Sequence, residues 1–440
     1  MMNISIIGLG YIGTVIGAVL SSQGNNVTAI DVDEDAINLL NKGITNIPEP
    51  TLRSLVNSSV EAGLLSGRTD YSCLSESEVI LITVGTPLSE NFDADLSDIR
   101  SVFSSLSKNI KDGQVIMVKS TVPPGVTRMM AEEFLTKNNV YIGFSPERLA
   151  EGNAIDEFKK LPIVVGGINE ESTRKCAEFW ENSLGVDVIR VSSPEAAELV
   201  KLADNQWIDL NIALANELAI LCDSMPYDLD ILEIISGANS LKKGEHYVNI
   251  LTPSIGVGGY CLTKDPWFLD SLAKKNNCNI SLPSAGRLSN DFMPNYVAQR
   301  IDSFLSKTSV IKEDLKIAIL GYSFKNNSGD IRFTPMEKFI ESIVDLGYKN
   351  ISVFDSMIHK GSVSNKKAAQ IDNWQECVEG AHCVVFGAAH DDIASIPIES
   401  LTNLMFEEGL IYDGRIYFDK NKINELRSLG ISYQGVGRNI

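Results

Sequence analysis

The sequence predicts an α/β protein in which two doubly wound Rossmann-like domains are joined by a long central helix within an all-α middle domain. Three observations predict it. Short apolar runs alternate with helical patterns over residues 1–190, an unbroken helical stretch begins near residue 194, and the same alternation returns after residue 312. A chain of 440 residues is also too long for one core, since domains usually hold roughly 100–200 residues.

In the first part, residues 4–7, 27–30, 79–84, 115–119 and 163–165 read as strands of parallel βαβ units. They are followed by Gly, Asp or Ser-Thr, which places ligand-binding loops at the carboxyl ends of the strands. Ser192-Ser193-Pro194-Glu195 then supplies N-cap hydroxyls, Pro at the first helical position and an acid in the first turn. From Ala196 to about Cys222 there is no Gly or Pro, and Leu199, Leu202, Ile208, Ile212 and Leu218 recur near helical spacing. Such a helix reads as a spine and a dimer surface. After a polar stretch at 307–314, runs at 316–320, 351–354, 383–386 and 410–412 open the second doubly wound domain, a weak echo of the first. The expected domains are 1–192, 193–305 and 312–440.

Composition narrows the function. Hydrophobic content of 44%, charged content of 22% and aromatic content of 7% are those of a globular protein. No apolar run reaches the ~18 residues of a membrane span, so no membrane partner is expected. Met1-Met2-Asn3 leads directly into a strand pattern without a basic n-region, which reads as a cytoplasmic protein. Seven cysteines without a Cys-x-x-Cys pair and four histidines suggest neither a disulfide framework nor a zinc site, and no metal is expected. A net charge of −19 argues against nucleic acid, and an anionic ligand must be met by local positive charge and helix N-termini.

Gly8-Leu9-Gly10-Tyr11-Ile12-Gly13 follows the first strand and opens a helix, the context that makes G-x-G-x-x-G informative. The first Gly permits the tight turn, the second lets backbone approach a pyrophosphate, and the third allows close helix packing. Asp31 ends the next strand, where a carboxylate accepts from a ribose hydroxyl and repels a 2′-phosphate, favouring NAD over NADP. Cys261 lies in Gly256-Val257-Gly258-Gly259-Tyr260-Cys261-Leu262-Thr263-Lys264-Asp265. These glycines allow close backbone approach to a ligand, and Lys264 could lower a thiol pKa. The other six cysteines read as buried apolar residues. Lys201 and Asn205, four apart, share one face of the central helix, a pattern that a solvated charged face would also give. Residues 145–152 place Glu147, Arg148 and Glu151 just beyond a strand end, where carboxylates serve as acid or base, bind ribose, or simply start a helix.

With Val84-Gly85-Thr86-Pro87, Ser120-Thr121-Val122-Pro123-Pro124-Gly125, Glu198-Leu199-x-Lys201-x-x-x-Asn205, Gly321-x-x-Phe324-Lys325, Asp330-Ile331-Arg332 and Asp413-Gly414-Arg415, the chain resembles the UDP-glucose/GDP-mannose dehydrogenase family along nearly its whole length. The resemblance implies an NAD-dependent enzyme that oxidises the C6 hydroxyl of a nucleotide sugar to a carboxylate, for surface polysaccharide precursors, with two NAD reduced per sugar. It implies that Cys261 attacks the bound aldehyde to give a thiohemiacetal and then a thioester. It assigns the C6 oxygen and a water to Lys201 and Asp265, with Asn205 and Thr121 assisting, and thioester hydrolysis to Glu147. Gly8, Gly10, Tyr11, Ile12, Gly13, Asp31, Thr86, Thr121, Glu151, Lys264 and Arg332 would line NAD. Glu147, Arg148, Leu149, Lys201, Asn205, Gly258, Lys325 and Arg415 would hold the UDP-sugar, in a homodimer with a shared site.

Members of the family usually carry an Arg in the loop before the cysteine motif, and Glu245-His246-Tyr247-Val248-Asn249-Ile250 has none, leaving Lys243, His246 or Tyr247 in its place. Leu262-Thr263-Lys264 replaces the Pro-Lys common in UDP-glucose enzymes. Residues 148–167 and 211–218 look more like the branch acting on UDP-N-acetylhexosamines, so UDP-N-acetylmannosamine or UDP-N-acetylglucosamine ranks ahead of UDP-glucose and GDP-mannose. The competing readings are a two-electron hydroxyacid dehydrogenase with a structural Cys261, and a silent nucleotide-sugar sensor. A sugar epimerase would need a Tyr-x-x-x-Lys pair in the first domain, and none is found.

Overall fold

Apolar runs of four or five residues, too short for helices and rich in β-branched side chains, form the central strands of two sheets that share one order over six strands. The structure, a computed structural model, describes residues 1–47 and 49–438; Pro48, Asn439 and Ile440, which fall within the expected first and third domains, lie outside the described residues.

The first sheet contains β1 (Asn3–Ile7), β2 (Asn26–Ile30), β3 (Leu65–Arg68), β4 (Val79–Ile82), β5 (Val115–Val118), β6 (Tyr141–Phe144), β7 (Ile163–Gly167) and β8 (Val188–Arg190), in the order 3-2-1-4-5-6-7-8. Strands β1 to β6 are parallel, the doubly wound pattern. Contrary to the expected run of parallel units, β7 pairs antiparallel with β6, and β8 then runs parallel to β7. Between β6 and β7 the chain forms only the five-residue helix Ala154–Phe158, not the long crossover that a parallel return needs. Residues 145–162 therefore start and end at the carboxyl edge of β6.

Among the described residues, a two-residue antiparallel hairpin, β9 (Lys242–Lys243) with β10 (His246–Tyr247), is the one strand pairing in the otherwise helical middle segment. The second sheet contains β11 (Lys316–Leu320), β12 (Asn350–Phe354), β13 (Ala368–Gln370), β14 (Cys383–Phe386), β15 (Leu410–Asp413) and β16 (Ser432–Gly435). It is wholly parallel in the order 13-12-11-14-15-16, the topology of β1 to β6 repeated. Each sheet is covered on both faces by buried aliphatic side chains, as parallel sheets require.

The central helix runs Pro194–Ser224, with the Ser193 hydroxyl accepting from the Ala196 amide at 3.3 Å, as the capping pattern predicts. By internal contacts the chain separates into two compact units, residues 1–204 with 267–279, and residues 205–266 with 280–440. The middle segment divides between them. In the second unit, Ala215, Ala219 and Cys222 of the central helix join Met293, Val297 and Ile301 of helix Leu282–Leu305 on one face of the second sheet. Among the described residues, no helix is long and apolar enough to cross a membrane, and no group of His, Cys, Asp and Glu is placed to hold a metal.

Candidate active site

In the first unit, the fingerprint turn is shaped by what its glycines touch. Gly8 has φ of +102°, and a Cβ there would lie 2.8 Å from the Thr83 backbone. A Cβ on Gly13 would meet the Gly8 carbonyl oxygen at 1.9 Å, whereas one on Gly10 would meet nothing within 4 Å among the described residues. Gly8 and Gly13 thus close the turn against β4 and the helix Tyr11–Ser22, and Gly10 leaves open space above the helix N-terminus. Asp31, after β2, accepts from the Leu9 amide at 2.5 Å and from the Asp33 amide at 3.0 Å, so its carboxylate fastens the turn. Ile12 lies partly buried against the apolar core of this unit.

A strap across this turn has no signature in the sequence. The Tyr11 hydroxyl donates to Glu49, which also accepts from the Gly152 amide at 2.7 Å, tying the fingerprint helix to the loop that carries Glu151. Burial first, and then the Glu49 carboxylate, push the Tyr11 phenol up. Nearby, the buried Thr86 hydroxyl donates to the Thr121 carbonyl at 2.6 Å, joining the loops after β4 and β5.

Lys201 is buried rather than solvated, 3.8 Å from Glu147, which also accepts from the Leu149 amide of its own turn. Arg148 donates to the Pro162 carbonyl and lies 3.8 Å from Asp204. Beneath this turn sits Lys119, expected as the last residue of a strand but placed just past the end of β5. Burial lowers its pKa to about 8, with the Glu147 carboxylate opposing the shift and Lys201 and Arg148 adding to it. A lone Lys closing the apolar run Val115–Val118 was the only sequence signal for it.

In the second unit, Cys261 is exposed. Its carbonyl accepts from the amides of Lys264 at 3.2 Å and Asp265 at 2.9 Å, at the start of helix Asp265–Lys275. Asp265 is fully buried between two groups named from sequence: the Asn205 amide donates to it, and the Lys264 ammonium lies 2.8 Å away. The structure therefore brings Asn205, Lys264 and Asp265 together here, and Lys201 and Glu147 together in the first unit.

The cysteine-loop glycines also pack closely against other parts of the second unit. A Cβ on Gly258 would lie 2.4 Å from the Phe324 Cβ, and one on Gly259 2.8 Å from the Phe324 ring, so both allow a close approach of the loop to Phe324. The loop is held there by Gly259, whose amide donates to the Arg332 carbonyl at 3.0 Å. It is held from the other side by Arg287, which donates to the Leu262 carbonyl at 3.2 Å and pairs with Asp209, both side chains fully buried. No motif in the sequence marks this Arg. Cys278 is also exposed and Cys73 half-buried, so burial does not describe all six remaining cysteines.

Phe324 and Lys325 lie on a loop pinned by Asp355, which accepts from the Tyr322 and Ser323 amides at 2.8 Å each. Arg415 donates to the Gly387 carbonyl at 2.8 Å and to the Phe324 carbonyl at 2.5 Å, and burial lowers its pKa to about 10, still a cation at neutral pH. A guanidinium anchored by carbonyl oxygens keeps its charge for an anionic group. Arg332 pairs with Asp330 and stays exposed.

The chain matches the UDP-glucose/GDP-mannose dehydrogenase family in its NAD-binding domain over residues 2–184, its central domain over 195–292 and its UDP-binding domain over 318–420. It is similar to a UDP-N-acetyl-D-mannosamine dehydrogenase of Methanococcus maripaludis strain C7, 32% identical over 425 residues, 95% of this chain and 94% of that one. The enzyme of that name from Escherichia coli K12 is 31% identical over 375 residues, 81% of this chain and 86% of its own. A solved structure of the UDP-D-ManNAc dehydrogenase from Pyrococcus horikoshii matches over 100% of both chains, with a TM-score of 0.89 and 30% identity. With a nucleotide turn, a UDP-binding domain and three matched domains in order, this chain belongs to the UDP-glucose/GDP-mannose dehydrogenase family and is an NAD-dependent nucleotide-sugar dehydrogenase.

Proposed function

We propose that the enzyme oxidises the C6 hydroxyl of a UDP-N-acetylhexosamine to the carboxylate in four electrons, through a covalent intermediate on Cys261. UDP-N-acetylmannosamine ranks first, on the names of relatives at 31–32% identity, ahead of UDP-N-acetylglucosamine, UDP-glucose and GDP-mannose. The observation that carries the reading is Cys261 itself: an exposed thiol on a loop fastened on both sides, at the start of a helix, next to a buried Lys-Asp-Asn group.

The residues fit NAD: of the three fingerprint glycines, Gly10 alone opens onto space that no atom of the described residues fills, above an uncapped helix N-terminus, with Asp31 at the end of β2. Held there, NAD would supply the hydride acceptor that each of the two oxidations requires. Tyr11, Ile12, Thr86, Thr121, Glu151, Lys264 and Arg332 complete the proposed cofactor set.

The thiol of Cys261 adds to the C6 aldehyde, giving a thiohemiacetal whose oxidation leaves a thioester, so the aldehyde stays attached to the protein. The Lys201 ammonium stabilises negative charge developing on the C6 oxygen. Asp265, ordered by Asn205 and Lys264, takes a proton, and Glu147 acts in hydrolysis of the thioester. Arg148, Leu149, Gly258, Lys325 and Arg415 hold the nucleotide sugar, with Lys325 and Arg415 answering its phosphates against a net charge of −19.

In the second unit, Trp207, Leu214 and Leu221 recur at seven-residue spacing on the central helix and are 51%, 47% and 53% exposed, a surface fit for a second copy of the chain. A reduced thiol and NAD chemistry suit the cytoplasm, and the product uronate suits surface polysaccharide synthesis.

The test is NADH release over a panel of UDP- and GDP-sugars with stoichiometry recorded. Two NADH per UDP-N-acetylmannosamine are expected, falling to one or none in Cys261→Ser. Unchanged stoichiometry in that variant overturns the covalent reading.

A further inference from the structure

Lys119 takes no part in the chemistry so far, and it is an expensive residue to bury. It is 4% exposed, donates a hydrogen bond to the Ser145 carbonyl at 3.2 Å, and lies 5.0 Å from the Trp180 ring centre and 6.0 Å from that of Phe158. Aromatic faces offset part of the desolvation of an ammonium, but an apolar side chain of the same length would fill this space at less cost. What the charge faces is informative. The groups that bear on it electrostatically are Glu147, Lys201 and Arg148, and Lys119 lines one cleft with Glu147, Arg148 and Leu149. Burial is the first cause of its lowered pKa, and the Glu147 carboxylate is the favourable partner. Glu147 thus meets two cations, Lys201 at 3.8 Å and the buried Lys119, while the Ser145 carbonyl held by Lys119 begins the same turn.

We propose that Lys119 is a positioning residue for Glu147: by clamping the 145–149 turn and facing its carboxylate with positive charge, it holds Glu147 in place for thioester hydrolysis. The proposal rests on the assignment of Glu147 above. In that step a water oxygen bonds to the acyl carbon and its proton passes to the Glu147 carboxylate. The carbon–sulfur bond breaks, and Cys261 leaves as a thiolate with the electron pair.

The test compares Lys119→Met, Lys119→Arg and Glu147→Gln. Lys119→Met is expected to keep or raise the melting temperature of the ligand-free protein. Deuterium uptake by the ligand-free 145–152 segment is expected to rise several-fold as the clamp is lost. With UDP-N-acetylmannosamine and NAD, quenched intact-mass spectra are expected to show an acyl adduct on Cys261 in Lys119→Met as in Glu147→Gln. Hydrolysis should slow by roughly 10- to 100-fold, less than the full loss of a general base, with partial recovery in Lys119→Arg. The double variant should be no slower than the slower single one. Adduct in Glu147→Gln but none in Lys119→Met, with unchanged deuterium uptake, overturns the role of Lys119 and leaves that of Glu147 standing. A Lys119→Met protein that fails to fold, or that loses sugar affinity and both oxidations equally, marks a structural lysine and overturns it as well. No adduct in Glu147→Gln overturns the assignment of Glu147 and this proposal with it.

Discussion

Gly10 and Gly13 stand three residues apart and do opposite work. A methyl on Gly13 has no room beside the Gly8 carbonyl, so Gly13→Ala is expected to cost about 1–3 kcal/mol and lower the melting temperature of the ligand-free protein. Among the described residues a methyl on Gly10 meets no atom within 4 Å, and its φ of −72° suits any residue. Gly10→Ala should therefore fold to within about 0.5 kcal/mol of wild type and still lose NAD affinity by more than roughly tenfold, as calorimetry with and without NAD would show. A stable Gly13→Ala would contradict the packing argument, and an NAD-binding Gly10→Ala the cofactor placement. Gly258 makes the same point for Cys261, the proposed nucleophile. Gly258→Ala sets a Cβ against Phe324 and the Phe333 carbonyl, and displacing the loop should lower kcat by roughly tenfold or more and change the alkylation rate of Cys261.

At the scale of elements, the two sheets solve one problem in one way. Gly8 donates to the Ile30 carbonyl and Gly321 to the Phe354 carbonyl, both at 2.8 Å, and each following carboxylate, Asp31 or Asp355, then captures amides of the loop after the first strand of its sheet. Asp355 is the more heavily engaged. Burial, which would raise it, is outweighed by His390, 3.1 Å away, and by the Ser323 and Met357 amides, which hold it at about 2 against an ordinary 3.8. The native state therefore resists protonation where the unfolded chain accepts it. This contribution is fully present above pH 3.8 and is lost as pH falls through about 2. Asp355→Asn should lose about 2 kcal/mol at pH 7 and much less near pH 2, measured by denaturant unfolding. A constant difference across that window would refute the assignment.

For the whole molecule, the exposed central-helix stripe carries a prediction about assembly. Leu214→Glu with Leu221→Glu places two charges on residues already in solvent in the single chain, so helical circular dichroism should be retained. In a dimer joined there, the same charges would be desolvated, and sedimentation should shift from dimer to monomer. Unchanged sedimentation would place any partner elsewhere.

Much of this protein follows from short-range rules. The alternation of strand and helix, the start of the central helix at Pro194 and the glycine turn after β1 depend on side-chain periodicity and on φ requirements within a few residues, and so are legible in the bare chain. Cys261, Lys201 and Asp265 were legible as motifs. What the tertiary structure decided is which distant groups meet. The antiparallel direction of β7 follows from the path of residues 145–162, and nothing local in the apolar run Ile163–Gly167 distinguishes one direction from the other. Glu49 reaching Gly152, Arg287 reaching Leu262 and Lys119 lying under the Glu147 turn join residues far apart in sequence. The glycines of the cysteine loop, legible as a close approach, turned out to approach Phe324 because only the folded chain says which atoms stand opposite a missing Cβ.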